Sequence, residues 1–161
     1  MVKNSTGHAP QSLISNKLKV KQMVGAKKKG SAAERELLDT LFGDGFAVIR
    51  AAGSGSTQHD ACDLIAGRTG KSYAIEVKAC VNSKQYISAE QMAELFAFSK
   101  AFGAQAIVAV KWTRKGWSIC PAEQLKSTGK DGTGKHFGIT QAEMEPLKEW
   151  LAHQRLGFEL H

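Results

Sequence analysis

The sequence predicts a mixed α/β domain in which one central β-sheet is flanked by helices. Segments with helical periodicity alternate with short apolar runs in the order helix, three strands, helix, two strands. The chain has 161 residues, a length typical of one domain with a tail. Its 42% of hydrophobic residues suffice to bury a core. We therefore expect one sheet and one principal domain.

The first thirty residues differ from the rest in charge. They contain seven lysines and no acid, which leaves 15 basic and 15 acidic residues for positions 31–161. The net charge of +7 thus belongs to a basic arm, residues 1–29, which we expect to be flexible. Nucleic acid is the simplest partner for such an arm, although a solubilising extension has the same composition.

Two classes of protein are disfavoured by the sequence. The N-terminus has no apolar run of signal-peptide length and no segment approaches a membrane span, so we expect a cytoplasmic protein without membrane contact. Cys62, Cys80 and Cys120 are widely spaced and odd in number, which favours reduced thiols over a disulfide framework or a zinc site.

The first helix is predicted in "SAAERELLDTLFGDG", residues 31–45. Ser31 and Glu34 have the spacing of a capping box. The helix has an apolar stripe, formed by Leu37, Leu38, Leu41 and Phe42. "FAVIRAA" follows as the first strand.

The next two strands, 62–67 and 72–79, surround a two-residue turn at Thr69-Gly70. In that register Leu64 pairs with Ile75, and Cys62 pairs with Val77 on the same apolar face.

The opposite face of this hairpin carries charged side chains. Asp63 and Glu76 are expected to lie directly opposite each other, with Lys78 on the same face as Glu76. Like charges opposed in this way are destabilising. Either the face is solvent-exposed and Lys78 screens it, or a divalent cation such as Mg²⁺ lies between the carboxylates.

A second helix and a second hairpin follow. Ser88 and Gln91 form a second capping box, and the helix runs to Gly103. "AIVAVKW" is predicted as a buried strand, with "GWSIC" as its hairpin partner. These elements complete the principal predicted domain, residues 30–125.

The C-terminal part is predicted to be a separate linker and helix over residues 126–161. Pro121 opens a short helix, and residues 126–138 are rich in glycine and lysine. A last amphipathic helix covers about 146–154.

The acids and the lysine carry a resemblance to a known family. Asp63, Glu76 and Lys78 resemble the D…ExK signature of the PD-(D/E)xK nuclease superfamily. That signature is short, but its surroundings are more specific: "AERELLDTLFGDGFAVIRAAGSGS", "DLIAG", "YAIEVK", "EQMAELFAFSKAFGAQAIVAVKW" and "GW" resemble, in order and spacing, the archaeal-type Holliday junction resolvases of the Hjc family. The resemblance runs from about Lys29 to Ile119 and implies a single restriction-endonuclease-like nuclease domain.

The resemblance also implies a catalytic site. Asp63 and Glu76 would bind Mg²⁺, for which Mn²⁺ substitutes, with Glu34 as an additional acid. Lys78 would be the catalytic lysine, and Ser54 matches the family's catalytic-loop serine. No small-molecule cofactor is implied.

It further implies a homodimer that nicks branched DNA at two opposed strands of a four-way junction. Phe98 and Phe102 match the family's dimer interface. The resemblance implies that Arg35 and Arg50 contact phosphates. Lys28 and Lys29 of the basic arm are also expected to contact DNA, and so is Lys111 on the strand after the second helix, although a lysine at a strand end is more often simply solvent-exposed.

Simpler interpretations remain open for several of these residues. Glu34 fits a capping box, Arg35 fits an ion pair with Asp39, and Phe98 and Phe102 fit a core. For the whole protein, the alternatives are a nuclease for another target, such as a flap, mismatch or restriction site, and a non-catalytic DNA-binding module.

Overall fold

A computed structural model describes residues 31–51, 62–128 and 134–156 of the chain. Within these ranges the helices are α1 over 31–43, α2 over Ala89–Phe102 and α3 over Leu147–Leu156, and the strands are β1 Ala47–Arg50, β2 Leu64–Arg68, β3 Lys71–Cys80, β4 Lys84–Ser88, β5 Gln105–Trp112, β6 Gly116–Pro121, β7 Lys126–Ser127, β8 His136–Thr140 and β9 Glu145–Pro146. Short 3-10 turns cover Ala122–Gln124 and Gln141–Glu143. The basic arm and the loop with Ser54 lie outside the described residues.

The predicted mixed central sheet is confirmed. It has six strands in the order β1-β2-β3-β5-β6-β9, of which β3 and β5 are parallel and the other pairs antiparallel. The crossover between β3 and β5 contains α2. This helix begins and ends where the sequence predicts: the Ser88 hydroxyl accepts a hydrogen bond from the Gln91 N–H at 3.2 Å, and Gly103 closes the helix at φ 75°.

The hairpin of β2 and β3 follows the predicted register along the strands but departs from it at Asp63. Leu64 pairs with Ile75, and Thr69 and Gly70 both have positive φ, as a type I′ turn requires. The Asp63 N–H, however, donates to the Ile75 carbonyl at 3.1 Å. Asp63 and Leu64 therefore both oppose Ile75, and the predicted pairs Cys62–Val77 and Asp63–Glu76 are wrong.

A side chain causes this departure. The Asp63 carboxylate accepts a hydrogen bond from the Val77 N–H at 2.8 Å, the group that a backbone carbonyl would otherwise engage. Such a local break bends the strand as a β-bulge does.

Two apolar clusters cover the two faces of the central sheet. The first, beneath α1 and α3, includes Leu37, Leu41, Phe46, Leu64, Ile75, Val77 and Trp150. The second, beneath α2, includes Cys62, Ala74, Ile87, Met92, Leu95, Val108 and Ile139. Cys62 is buried as predicted, but in the second cluster and not beside Leu64, because the bend at Asp63 reverses its side of the sheet.

A second sheet, of order β4-β8-β7, was not predicted. Its strands β7 and β8 occupy both ends of the region expected to be a linker, 126–138. Ile87 of β4 and Ile139 of β8 point into the second apolar cluster. β4 pairs with β8 across about fifty residues, and β7 has only two residues, so neither strand leaves a local periodicity to detect.

The last helix is confirmed, and it packs on the first apolar cluster. The Trp150 ring stacks on Phe46 at 5.7 Å between centroids and meets Tyr73 edge-on at 5.2 Å. The Tyr73 hydroxyl donates to Gln154 at 2.8 Å. Asp44, at the end of α1, accepts hydrogen bonds from Arg155 and also from Arg68. Within the described ranges, no helix is long and apolar enough to cross a membrane.

Candidate active site

A buried carboxylate lies in the middle of the central sheet. Glu76 of β3 is 8% exposed and has Val108 of β5 as its neighbour in the parallel register. Lys78, two residues on, projects to the same face, and its ammonium donates a hydrogen bond to a Glu76 carboxylate oxygen. The two side chains thus form an ion pair that is largely shielded from water.

Burial raises the pKa of the Glu76 carboxyl above its ordinary value, since the charged form loses hydration. The Lys78 ammonium opposes this effect, while the negative charges of Asp63 and Glu94 raise the pKa further. The site therefore holds more negative charge than Lys78 neutralises. Perturbed carboxyl groups of this kind concentrate at functional sites.

Asp63 reaches this neighbourhood by way of the bend described above. It is half-buried, and its charge acts on both Glu76 and Cys62. The charge of Asp63 therefore acts on Glu76, although the two residues are not cross-strand partners. The hydrogen bond from the Val77 N–H fixes the orientation of the Asp63 carboxylate.

Two neighbours of the site were not predicted. Glu94 lies on α2, three residues after Gln91, and this spacing alone carries no signal for a site. The Cys62 thiol donates to the Leu64 carbonyl at 3.2 Å, and burial, followed by the charges of Asp63 and Glu76, raises its pKa to about 11. The thiol is thus protonated and unreactive at neutral pH.

Glu34 and the predicted phosphate-binding arginines form a separate group at the start of α1. Arg50 pairs with Glu34 at 2.5 Å and donates to the Ser31 hydroxyl at 3.1 Å. Arg35 donates to the same hydroxyl at 2.9 Å, so it pairs with Ser31 and not with Asp39. Ser31 is already helical, and its hydroxyl is engaged by two guanidinium groups, so the predicted capping box does not form.

Lys111, another predicted DNA contact, is also paired. Its ammonium donates to Glu36 of α1, and the Trp117 indole N–H donates to the same carboxylate at 2.9 Å. Both hydrogen bonds lower the pKa of Glu36, that from Lys111 more strongly. Lys111 thus links β5 to α1.

The two phenylalanines expected at the dimer interface lie together on α2. The rings of Phe98 and Phe102 stack at 5.6 Å between centroids with an interplanar angle of 14°. Phe98 is partly buried against the second apolar cluster, whereas Phe102 is 52% exposed. Because Phe102 extends the stack into solvent, the pair is not simply part of the core.

The donor set of the site fits a divalent cation with few protein ligands. No group of three or more His, Cys, Asp or Glu side chains among residues 31–51, 62–128 and 134–156 is placed to hold a metal ion. The carboxylates of Asp63 and Glu76, which interact electrostatically, nevertheless offer hard oxygen atoms. Mg²⁺ binds by one or two carboxylates and takes its other ligands from water and phosphate.

Comparison with known proteins finds a matching family and similar enzymes. The model of the archaeal Holliday junction resolvase (hjc) family matches residues 25–152. The chain is similar to the crossover junction endodeoxyribonuclease Hjc of Archaeoglobus fulgidus, with 43% identity over 106 residues, 65% of this chain and 77% of the relative. The enzyme of the same name from Methanocaldococcus jannaschii is 40% identical over 104 residues, 65% of this chain and 74% of the relative.

The fold has a close counterpart among solved structures. The structure of Archaeoglobus fulgidus Hjc, a Holliday junction resolvase, matches with a TM-score of 0.66 and 36% identity over 75% of this chain and 96% of that chain. This similarity confirms the restriction-endonuclease-like α/β fold that the sequence predicts.

Proposed function

Because the chain belongs to the archaeal Holliday junction resolvase family, we propose that it is a structure-selective endodeoxyribonuclease that resolves four-way DNA junctions by paired, symmetric, metal-dependent nicks. The observation that carries this proposal is the group formed by Asp63, Glu76 and Lys78. A buried Glu76 carboxylate that the half-buried Asp63 repels is costly for a protein without a bound cation. A DNA-binding module that cuts nothing has no need of this arrangement.

Asp63 and Glu76 would hold a divalent cation, Mg²⁺ or Mn²⁺. When bound, such a cation supplies Lewis-acid stabilisation of the phosphate and lowers the pKa of a coordinated water. Lys78, held in place by Glu76, orients the attacking water or stabilises the negative charge that develops on the phosphate. Burial of Glu76 strengthens these electrostatic interactions, since the local dielectric is low.

The group at the start of α1, formed by Glu34, Arg35 and Arg50, supports the proposal because it offers groups that bind substrate. Arg35 and Arg50 converge on one serine hydroxyl at the start of α1, where helix N–H groups also favour anions. These arginines are proposed to contact phosphates, with Glu34 as a further acid of the site that here neutralises Arg50. Lys111 and the lysines of the arm, Lys28 and Lys29, complete the proposed DNA-binding set. Ser54 is proposed as a further catalytic residue.

A homodimer is part of the proposal because two opposed nicks need two sites. The stacked Phe98 and Phe102 of α2, of which Phe102 is exposed, would lie at the dimer interface. A two-fold dimer presents its sites in the symmetry of the junction itself.

Nick mapping on an immobile four-way junction tests the function. The full chain is incubated with the junction and with a linear duplex of the same sequence, with and without Mg²⁺, and each strand is labelled in turn. We expect paired nicks on opposed strands of the junction only, and only with the cation. Substitution of Glu76→Gln should abolish them, while Glu123→Gln, an exposed acid on the 3-10 turn after β6, should leave them unchanged. Equal cutting of the linear duplex would favour a nuclease for another target, and absence of cutting with either Mg²⁺ or Mn²⁺ would favour a binding module.

A further inference from the structure

The turn between β5 and β6 lies at the end of the sheet towards which β3 runs from Glu76 to Lys78. In the parallel register of β3 and β5, Lys78 pairs with Val110 and Cys80 pairs with Trp112. The turn that follows Trp112, residues 113–115, is therefore next to the end of β3 that carries Lys78. We call this turn the basic hairpin.

The backbone of the basic hairpin is held in one conformation. The Cys80 carbonyl accepts hydrogen bonds from the Thr113 N–H at 2.9 Å and from its hydroxyl at 3.2 Å. The Lys115 N–H donates to the Trp112 carbonyl at 3.1 Å. Arg114 has a φ of 63° and Gly116 a φ of 83°, so the turn places a non-glycine residue in the left-handed region. These hydrogen bonds fix the backbone that carries the side chains of Arg114 and Lys115.

The charge of the basic hairpin is not compensated locally. Residues 105–122 include three basic residues and no acid. Lys111 pairs with Glu36, as Lys78 pairs with Glu76 and Arg50 with Glu34. Arg114 and Lys115 are instead exposed, and neither makes an ion pair with any residue that the structure describes.

We propose that the basic hairpin is a second DNA-contact element, which binds backbone phosphates of the duplex arm beside the scissile strand. The inference rests on the proposed function, and it assigns DNA binding to a segment distinct from the α1 arginines. An exposed guanidinium and an adjacent ammonium match the phosphodiester backbone. The turn contains no aromatic side chain for stacking on bases, so phosphates, and not unstacked bases, are its target.

The test is a double variant, Arg114→Asn with Lys115→Gln. Asparagine tolerates the positive φ at position 114, so the turn should keep its shape. The matched control, Lys71→Gln with Lys100→Gln, removes the same charge at the opposite end of the sheet. Lys71 begins β3, and Lys100 is in the last turn of α2. The Ser72 hydroxyl donates to the Gly103 carbonyl at 2.9 Å, so the start of β3 and the end of α2 lie together.

Affinity of the full chain for a four-way junction is measured over a range of salt concentrations, with Ca²⁺ in place of Mg²⁺ to prevent cutting. For the hairpin variant we expect the slope of log affinity against log salt to fall in magnitude by about two for each bound protomer. The affinity should fall on the order of tenfold or more at about 0.1 M salt. The control variant should change the slope by less than half as much.

An unchanged slope in the hairpin variant, or an equal change in the control, would overturn the inference. So would a change in dimer mass or melting temperature of the hairpin variant, because the turn would then act in assembly or folding. If the hairpin variant loses binding to an acidic peptide but keeps its DNA affinity, the turn contacts a protein partner and not DNA, and the inference is likewise overturned.

If the wild type cuts no junction but the hairpin variant still loses DNA affinity, the proposed function fails and this inference stands. If the wild type nicks the junction and the slope of the hairpin variant is unchanged, the proposed function stands and this inference fails.

Discussion

Replacement of Glu76 by glutamine should have opposite effects on stability and on activity. Glu76 is buried, and burial with the charges of Asp63 and Glu94 raises its pKa despite the ion pair with Lys78. A carboxyl whose pKa is higher in the folded than in the unfolded state lowers the free energy of unfolding at pH values above its folded-state pKa. This cost disappears as the pH falls through the unfolded value of about 4.5. Without metal, the Glu76→Gln variant should therefore melt at a higher temperature than the wild type at neutral pH, and the difference should shrink on acidification.

The response of the melting temperature to Mg²⁺ should be present in the wild type and absent in the variant. Bound Mg²⁺ with a dissociation constant on the order of 1 mM stabilises the folded wild type by about 1.4 kcal/mol at about 10 mM. For a domain of this size that corresponds to a rise in melting temperature of about 3–6 °C. The Glu76→Gln variant should show no such rise, and its nicking rate should fall by at least about 100-fold.

Calorimetry or dye-monitored melting of the full chain at several pH values, with and without Mg²⁺, measures both effects. The Glu123→Gln variant is the control, since Glu123 is exposed and lies on the 3-10 turn after β6, outside the group formed by Asp63, Glu76 and Lys78. An equal Mg²⁺ shift in wild type and Glu76→Gln would refute a cation site at this carboxylate. A lower melting temperature of the variant in the absence of metal would refute the electrostatic cost assigned to Glu76.

Three further predictions concern other parts of the chain. Trp150→Ala should lower the free energy of unfolding by about 3–5 kcal/mol, because the ring packs against Phe46 and Tyr73, and denaturant titration measures the loss; a loss below about 1 kcal/mol would mean that α3 is not part of the core. Phe102→Asp should convert the proposed homodimer to a monomer in analytical ultracentrifugation with little change in secondary structure, because it places a charge in the exposed part of the Phe98–Phe102 stack; an unchanged mass would exclude this surface as the interface. Removal of residues 1–28, which deletes six lysines, should weaken junction binding and reduce the salt slope by up to about 5 for each protomer while Mg²⁺-dependent nicking survives; unaltered binding would show that the arm does not contact DNA.

Local features of the sequence determined much of this fold. The Thr69-Gly70 turn sets the register of β2 and β3, since both residues adopt the positive φ that a type I′ turn needs. Ser88 and Gly103 define the ends of α2 through short-range hydrogen bonds and backbone conformation. Alternation along β3 likewise placed Glu76 and Lys78 on one face, where the structure finds their ion pair.

Contacts between distant residues decided the rest. The bend at Asp63, which moves Cys62 to the other apolar cluster, arises because a carboxylate accepts the Val77 N–H. The sheet of β4, β8 and β7 and the pairing of Glu34 with Arg50 also join segments far apart in the chain. The Thr69-Gly70 turn and the two ends of α2 depend on a few neighbouring residues, so the sequence alone determined them. Competition among side chains for backbone groups and counter-charges is settled only when the chain is packed, so the tertiary structure alone decided which acids share the site.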